Sequence, residues 1–415
     1  MLIAPAAASA APLTVDEAVG AAEARNPAIA EAEARVAQAR GRRTTAGQRV
    51  PSRPELDLGL ASDALFARQG EVSFDASLSQ ELELFGQRGL RLRVATEDVQ
   101  ARTLEADDER RRLRADVQVA FYELMFQEQR GALATEVVDA AARLVESAEQ
   151  RVTAGDLGDA ELQLLRGDLA LARAELWSAT AEAEVARAAL NRLIGADANA
   201  GTTAAGDFPS IASDADTKAL VDDAVAGRPD LAASAREVAA TRAEVDLRRR
   251  ERLPNLTFVA GYALERGILV GDDFQPALID EARDTDHLFT VGVSIPLPIF
   301  RSNAGEISEA RGRAAEAEAR QAGIEARVAE EVVAASARRA AARDRIAALD
   351  DAVTAVAATL ERYERAWTEK HIDLAEYLAI RDRVLAVKIT ALEARRDGAL
   401  ADAELDLAVG TGEDR

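Results

Sequence analysis

Apolar residues follow two different periods along the chain. Between Arg88 and Val152 they recur at steps of three and four residues, and no proline interrupts them. This spacing is typical of one face of an α-helix, and at a rise of 1.5 Å per residue the segment would form a helix of roughly 100 Å. Just upstream, apolar residues instead alternate with small or polar ones, as in a half-buried strand. The pattern therefore predicts short strands followed by very long helices.

Four segments show the strand pattern: residues 55–62, 72–80, 256–263 and 288–296. Their alternate positions carry leucine, valine, phenylalanine or tyrosine, whereas the residues between them are mostly small or hydroxyl-bearing. The segments are about as long as a tilted strand that crosses a membrane, roughly nine to eleven residues. We expect their apolar face to contact lipid, and the residues assigned to this face are Phe74, Leu78, Phe258, Tyr262, Phe289 and Val291.

The chain contains this pattern twice. Residues 74–195 and 289–410 align at a constant offset of 215 residues, which places Phe74 on Phe289 and Gly195 on Gly410. A repeat of this kind has to be recognised before any fold is assigned. We divide the chain into repeat 1 (residues 12–196), a linker (197–217) and repeat 2 (218–411).

Each repeat is predicted to end in a helical hairpin. Glycine and aspartate in Thr153–Asp159 favour a turn, and a second turn is expected near Ile372. Gly195 and Gly410 follow the return helices as C-cap glycines. The long helices are predicted at 88–152 and 306–369, and the return helices at 159–194 and 373–409.

The composition agrees with long helices. Aromatic residues make up 4% of the chain and charged residues 30%, and alanine, arginine and glutamate dominate. A net charge of −22 argues against nucleic acid as a partner, because phosphate binding requires basic patches. The absence of cysteine excludes disulfides, thiolate metal sites and a cysteine nucleophile. No pattern typical of an enzyme active site or a resident cofactor is present.

The same sequence carries signals of export and of a membrane. Residues 1–11 are small and apolar, and Ala8-Ser9-Ala10 resembles a signal-peptidase site, so we interpret them as a residual signal peptide. No stretch approaches eighteen uncharged apolar residues, so a membrane-spanning helix is not expected. Four strands alone would leave two open edges, which lipid does not tolerate, and the smallest closed membrane barrels have about eight strands. One chain would therefore supply a sector of an oligomeric barrel.

Several motifs resemble the TolC-like outer-membrane efflux proteins. They include the opening Leu13–Ala18 with Asn26-Pro27 after it, and Glu81–Arg91, which is most similar to the heavy-metal (cobalt-zinc-cadmium) branch. The turn from Arg151 through Gly155-Asp156-Leu157 and the helix end Ala189–Gly195 are similar as well. The resemblance covers nearly the whole chain.

The resemblance implies a mainly α fold with a small β part. Three subunits would form a homotrimer in which four strands per subunit build a twelve-stranded barrel in outer-membrane lipid, continuing into a periplasmic helical tunnel. The expected partners are a periplasmic adaptor protein and an inner-membrane RND-type pump. The family implies an exit duct without covalent chemistry or cofactors, and the branch implies heavy-metal cations as cargo. A duct for drugs or for type I secretion remains an alternative.

By the same resemblance, the two turns form the periplasmic tip and gate. The residues assigned to the gate are Arg151, Gly155, Asp156, Asp159, His371, Asp373 and Glu376. The candidates for adaptor contact are Thr153, Leu157, Trp367 and Ile372. Three symmetric copies of the acidic residues would favour cations at the constriction.

Simpler roles exist for these residues. Asp159 and Asp373 suit helix N-caps, His371 a surface position, and Trp367 the groove between helices. Two histidines and no cysteine argue against a high-affinity transition-metal site. The alternative for the whole chain is a periplasmic coiled-coil structural or adaptor protein with soluble hairpins. The nature of the strand faces distinguishes the two, because a soluble hairpin has no use for an exposed apolar face.

Overall fold

The computed structural model describes residues 12–50, 52–63, 71–212, 216–268, 283–297, 303–369 and 371–410. The predicted residual signal peptide at 1–11 lies outside this range. The described chain is mainly helical with four antiparallel strands, which confirms the predicted fold class. None of the described helices combines the length and the apolarity needed to cross a lipid bilayer.

The elements follow the order ααββαα, and this order occurs twice. The first set is α1 (Val15–Arg25), α2 (Pro27–Ala46), β1 (Glu55–Ser62), β2 (Val72–Leu82), α3 (Gln87–Thr153) and α4 (Asp159–Leu193). The second set is α5 (Thr217–Gly227), α6 (Pro229–Arg250), β3 (Leu256–Ile268), β4 (Arg283–Ser294), α7 (Ala304–Thr368) and α8 (Leu374–Val409).

The second hairpin differs from the one expected. β3 continues to Ile268 instead of ending at 263, and β4 begins at Arg283 instead of 288 and ends at Ser294 instead of 296. The additional ladder pairs Glu265 with Asp286 and Arg266 with Thr285. Apolar alternation could not reveal this part, because these residues are charged or polar and the pairing is made by the backbone.

The fold divides into two compact units that do not coincide with the sequence repeats. Unit 1 comprises residues 1–34, 103–232 and 322–415, and unit 2 comprises residues 35–102 and 233–321. Each unit therefore draws residues from both repeats. Long-range packing decides this division, and a sequence offset does not contain that information.

Unit 2 contains one antiparallel sheet in the order β1-β2-β3-β4. The middle pair brings the two repeats together, with Phe74 opposite Leu264 and Ala76 opposite Tyr262. β1 and β4 are the edge strands, and within the described residues no further strand pairs with either of them.

The motif that follows β2 holds the sheet to the start of α3. Asn255 donates to the Glu81 carboxylate at 2.7 Å, and Gln87 donates to the Leu253 carbonyl at 3.3 Å. Arg91 binds Glu83, whose side chain is almost fully buried. Burial raises the pKa of Glu83, and the nearby charge of Arg91 opposes that effect. The polar residues of this segment thus connect the ends of β2 and α6 within one unit.

Unit 1 contains two cores that occupy equivalent positions in the two repeats. In repeat 1, Leu113 and Val117 of α3 pack with Leu190 of α4 and with small residues of α1. In repeat 2, the equivalent α7 and α8 side chains pack against α5, and they are Val328, Val332, Leu405, Ala408 and Val409. Both cores depend on a short helix that closes the end of a long helical pair.

The C-terminal ends of α4 and α8 occupy equivalent positions in the two repeats, but different side chains bind their carbonyl groups. The Asn26 side-chain amide donates to the Leu193 carbonyl at the end of α4, at 2.9 Å. The Arg228 guanidinium donates to the Ala408 carbonyl at the end of α8, at 3.0 Å. Each interaction satisfies a carbonyl that the helix itself leaves without a partner.

Arg228 is also the centre of a buried ionic network. It forms a bidentate pair with Asp230 and a second pair with Glu331 of α7 at 2.6 Å. Burial alone would raise the pKa of Asp230, but the hydrogen bonds and charge of Arg228 outweigh it and hold that pKa below its usual value. The positive charge of Arg228 also lies at the C-terminal end of α8, the negative end of the helix dipole.

We expect Arg228→Met to destabilise unit 1 strongly. The substitution leaves Asp230 and the Ala408 carbonyl with fewer partners, and breaking a buried ion pair costs about 3–5 kcal/mol. Thermal and denaturant unfolding of the detergent-solubilised protein would measure the loss. Arg242→Met is the matched control, because the Arg242–Glu318 pair is exposed and should contribute at most about 1 kcal/mol. Equal effects of the two substitutions would contradict the role assigned to Arg228.

Candidate functional site: the helix turns and the exposed sheet face

The turn between α3 and α4 has a left-handed glycine at its centre. Gly155 has φ +80, and its N–H donates to the Val152 carbonyl at 3.0 Å. The Asp156 N–H donates to the Arg151 carbonyl at 2.8 Å, which completes a Schellman-type helix end. Thr153 and Asp156 are exposed, whereas Leu157 is partly buried. The predicted turn therefore forms around the residue that tolerates its backbone conformation.

The turn between α7 and α8 has one backbone hydrogen bond equivalent to a bond of the first turn. The His371 N–H donates to the Ala366 carbonyl at 2.7 Å, and both residues are equivalent to the Asp156–Arg151 pair of the first turn. His371 is exposed, and its ring lies 3.3 Å from the exposed carboxylate of Glu369. This places His371 at a surface position.

The return helices are capped by complementary halves of the capping box. In α8, the Asp373 carboxylate accepts from the Glu376 N–H at 2.7 Å. In α4, the Glu161 carboxylate accepts from the Gly158 N–H at 3.0 Å. The expectation that Asp159 is an N-cap was wrong, because Gly158 occupies that position and Asp159 begins the helix. Asp373 is the cap in its own turn.

An apolar cluster holds the two turns together within unit 1. Trp367 is buried, stacks on Tyr377 with ring centroids 5.6 Å apart, and packs with Leu144, Leu165 and Leu374. The Arg151 guanidinium lies 5.1 Å from the centre of the Trp367 ring. Trp367 therefore fills the groove between the helices of this chain. Ile372 and Leu157 pack against the edge of the same cluster.

A bidentate ion pair joins the two return helices near these turns. Arg381 of α8 binds both oxygens of Asp168 of α4, at 2.6 and 2.9 Å, and also contacts Asp382. Burial would lower the pKa of Arg381, but its hydrogen bonds to Asp168 and Asp382 outweigh this and raise it. The repeat-equivalent Arg166 instead binds Glu149 within its own hairpin. Asp168 was not among the predicted residues, because the offset between repeats gives no sign of a pair that crosses from one repeat to the other.

The acidic residues assigned to the gate are all solvent-exposed: Asp156, Asp159, Asp373 and Glu376. Within one chain they do not form a ligand cluster. Among the residues that the structure describes, no group of three or more histidine, cysteine, aspartate or glutamate side chains is placed to bind a metal ion. Their arrangement can contribute negative potential at the turns, and it offers no chelating site.

The apolar face of the sheet extends across all four strands. One row of paired residues runs Leu56, Leu78, Ala260 and Val291, and the next row ends with Tyr262 opposite Phe289. Phe289 is 78% exposed and Val291 86% exposed, and Phe74, Leu78 and Phe258 are exposed as well. An apolar surface of this extent is unusual for a soluble monomer and indicates contact with a partner or a membrane.

The opposite face of the sheet is mainly small or polar, with Val259 and Leu288 as exceptions. The row in register there contains Asp57, Ser77, Gly261 and Thr290. Each strand thus separates an apolar surface from a hydrophilic one. This division is what the alternating pattern in the sequence predicted.

Comparison with known proteins identifies the group to which this architecture belongs. The sequence matches the profile of outer membrane efflux proteins over residues 18–196 and 220–411. The chain belongs to the outer membrane efflux protein family. Each matched segment includes one long helix, its return helix and two strands, so the match contains both turns and the whole sheet. Membership confirms the resemblance to TolC-like proteins and the prediction that the chain is not an enzyme.

One relative of the chain is a heavy-metal resistance protein. The cobalt-zinc-cadmium resistance protein CzcC of Cupriavidus metallidurans is 29% identical over 265 residues, which are 63% of this chain and 58% of CzcC. The matched part therefore spans less than two thirds of that relative.

Solved channels share the fold. The channel-forming protein CusC has a TM-score of 0.77 at 18% identity, over 96% of this chain and 92% of its own. The CmeC outer membrane channel of Campylobacter jejuni has a TM-score of 0.78 at 16% identity, over 95% and 85%. At these identities the likeness establishes the fold alone.

We expect Asp168→Asn to loosen the ends of α4 and α8. Removing one carboxylate from a charge-assisted pair costs about 1.5–3 kcal/mol, so amide hydrogen exchange near Arg381 should become about 10- to 100-fold faster. Hydrogen–deuterium exchange with peptide resolution measures this directly. Glu149→Gln is the control, because it removes the equivalent but exposed Arg166 pair and should have a smaller effect. Unchanged exchange in Asp168→Asn would show that the pair does not hold the helices.

Proposed function

We propose that this protein is the outer-membrane exit duct of a tripartite efflux system. The exposed apolar face that runs across the four-stranded sheet carries this proposal, because lipid is the environment that such a face requires. The polar face would then line a water-filled interior. The long helical hairpins would extend into the periplasm as the wall of a tunnel, and conduction would be passive.

The edges of the sheet support a homotrimer. β1 and β4 have outward backbone groups that need a partner strand, and a membrane excludes open edges. Three chains would supply twelve strands, within the range of known closed barrels. The proposed subunit contact therefore continues the sheet from β4 of one chain to β1 of the next.

A heptad stripe on α4 supports the same assembly. Exposed residues recur at alternating steps of three and four, and they are Leu164, Gly167, Leu171, Ala174, Ser178, Ala181 and Val185. This spacing is that of the a and d positions of a coiled coil, where small and apolar side chains meet a neighbouring helix. The buried residues of α4, such as Leu162 and Leu165, lie on a different face. We infer that the stripe packs against a helix of a second copy of this chain.

Heavy-metal cations are the cargo we propose. The relative CzcC is a cobalt-zinc-cadmium resistance protein, and the acidic residues at the two turns would favour cations. A duct has to bind its cargo weakly so that the cargo can leave, and scattered exposed carboxylates meet this requirement better than a chelating cluster.

The turns are the proposed gate and the contact for the adaptor protein. Thr153, Leu157 and Ile372 are placed at or beside the turns and would meet an adaptor that links the duct to an RND-type pump. Opening requires the return helices to separate, so the Arg381–Asp168 pair is the proposed latch.

Leu171→Glu should impair trimer formation. A carboxylate in an apolar helix seam loses its hydration without gaining a partner, and three symmetric copies would add the cost three times. Heat-labile trimers on unheated gels and mass photometry in detergent would report the change. Thr180→Glu is the control, since Thr180 is exposed and nine residues further along, half a helical turn away from the stripe. A normal trimer in Leu171→Glu would rule out this seam.

Asp156→Asn combined with Asp373→Asn should lower cation selectivity. The change removes six negative charges from a trimer, while asparagine at 373 retains the helix cap. Reversal potentials in planar bilayers under a salt gradient measure the permeability ratio. Asp197→Asn is the control, because Asp197 caps a linker turn through the same kind of bond to Asn199 and lies outside both turns. Unchanged selectivity would disprove the acidic gate.

A further inference from the structure

Charges of opposite sign separate onto opposite faces at the far end of the β3–β4 hairpin. This end is the one nearest residues 269–282, away from the helices that flank the sheet. The apolar face continues from Phe289 to His287 and Arg266, whereas Glu265 and Asp286 face each other on the polar side. Strand alternation alone enforces this separation, because successive side chains point to opposite faces.

The basic residues lie directly beyond an aromatic group on the apolar face. Tyr262 packs against Phe289 with ring centroids 5.1 Å apart, and its hydroxyl is 2.8 Å from Nδ1 of His287. When the tyrosine hydroxyl donates to Nδ1, Nε2 of His287 is the protonated nitrogen and can donate outward. The paired strands therefore present an outward hydrogen-bond donor at the border of the apolar surface.

Arg266 is the next residue after Leu264 on the same face of β3, one pair beyond His287 towards the end of the hairpin. It is exposed, it pairs with Thr285 in the ladder, and the structure assigns it no ion pair with a described residue. The neighbouring Glu265 cannot serve as its partner on this side, because it belongs to the polar face. An exposed arginine at the edge of an apolar surface can bind an anionic group that lies next to that edge.

The length of the apolar face of β3 would place Arg266 and His287 at a membrane interface. From Leu256 to Leu264 the apolar side of β3 covers eight residue steps, about 27 Å along the strand at 3.4 Å per residue. A strand tilt of about 40° reduces this to roughly 20 Å, close to the apolar band of about 25 Å on membrane barrels. Arg266 and His287 then lie where lipid headgroups begin.

We propose that Arg266 and His287 form a binding surface for the phosphate groups of outer-leaflet lipid. This inference rests on the proposed outer-membrane function, which places the loop end of the sheet at the cell surface. The ligand is a phosphorylated glycolipid whose acyl chains lie along Phe289 and Val291 and whose phosphate accepts hydrogen bonds from the guanidinium and the imidazole. The acidic residues on the other face would exclude the same phosphate from the interior.

Native mass spectrometry of the detergent-solubilised trimer tests this surface, with diphosphorylated lipid A and its dephosphorylated form as probes. The wild-type protein should prefer the diphosphorylated lipid, and Arg266→Gln/His287→Gln should reduce that preference about tenfold, because the variant loses the guanidinium charge and the imidazole donor that would bind the phosphate. Arg173→Gln, an exposed arginine of α4, should leave the preference unchanged. Inorganic phosphate at the same concentration should not displace the lipid, because it lacks the acyl chains.

The outcomes separate this inference from the proposed function. A stable trimer that shows no preference for phosphorylated lipid, or a double variant that retains the full preference, overturns the lipid surface alone. Displacement by inorganic phosphate also overturns it, since the site would then be a simple anion site. A wild-type protein that is monomeric and soluble without detergent would overturn the proposed function itself.

Discussion

The four-stranded sheet has an exposed apolar face and two edge strands, β1 and β4, whose outer backbone groups find no strand partner in the described chain. Water does not stabilise the apolar face, and in lipid no water is available to pair with the free backbone groups of an edge strand. The remaining architecture is consistent with this constraint. Register keeps most large apolar side chains of the four strands on one side, and the other side carries mainly serine, threonine, glycine, alanine and acidic residues, with Val259 and Leu288 as exceptions. Lipid on one face and further copies of the chain at the edges are the environment that satisfies both requirements.

The two sequence repeats form similar helical hairpins, but some contacts at equivalent positions differ between them. Leu113, Val117 and Leu190 of one core correspond to Val328, Val332 and Leu405 of the other, and the two turns share one equivalent backbone hydrogen bond. Several of the contacts that differ are polar. Asn26 at one helix end corresponds to Arg228 at the other, and Arg166 binds within its hairpin whereas Arg381 crosses to the other repeat. Polar and ionic contacts at equivalent positions therefore distinguish the two halves of the repeat.

Sequence patterns predicted the strands, the long helices and the turns because each depends on local periodicity or on a glycine. They placed Gly155 and Asp373 where the structure has them. They ended β3 too early and began β4 too late, since charged residues continue the ladder there. They also assigned the cap of α4 to Asp159, whereas Gly158 is the cap and its N–H donates to the Glu161 carboxylate. Asp168 could not be predicted, because its partner Arg381 is 213 residues away in the chain. Arg166, the repeat equivalent of Arg381, binds Glu149 within its own hairpin, so the repeat does not indicate a pair between Arg381 and Asp168 either.

The sequence by itself determined which face of each strand is apolar, where the helices turn and that the pattern occurs twice, because these properties depend on neighbours at fixed short spacing. Only the tertiary structure decided that Trp367 packs with Leu144 and Leu165 of the other repeat, that Arg381 joins the two repeats, and that the compact units cut across the duplication. These features arise from packing between segments that are distant in the chain. Their residues carry no local signal, since the free energy that places them comes from contacts made after the helices have come together.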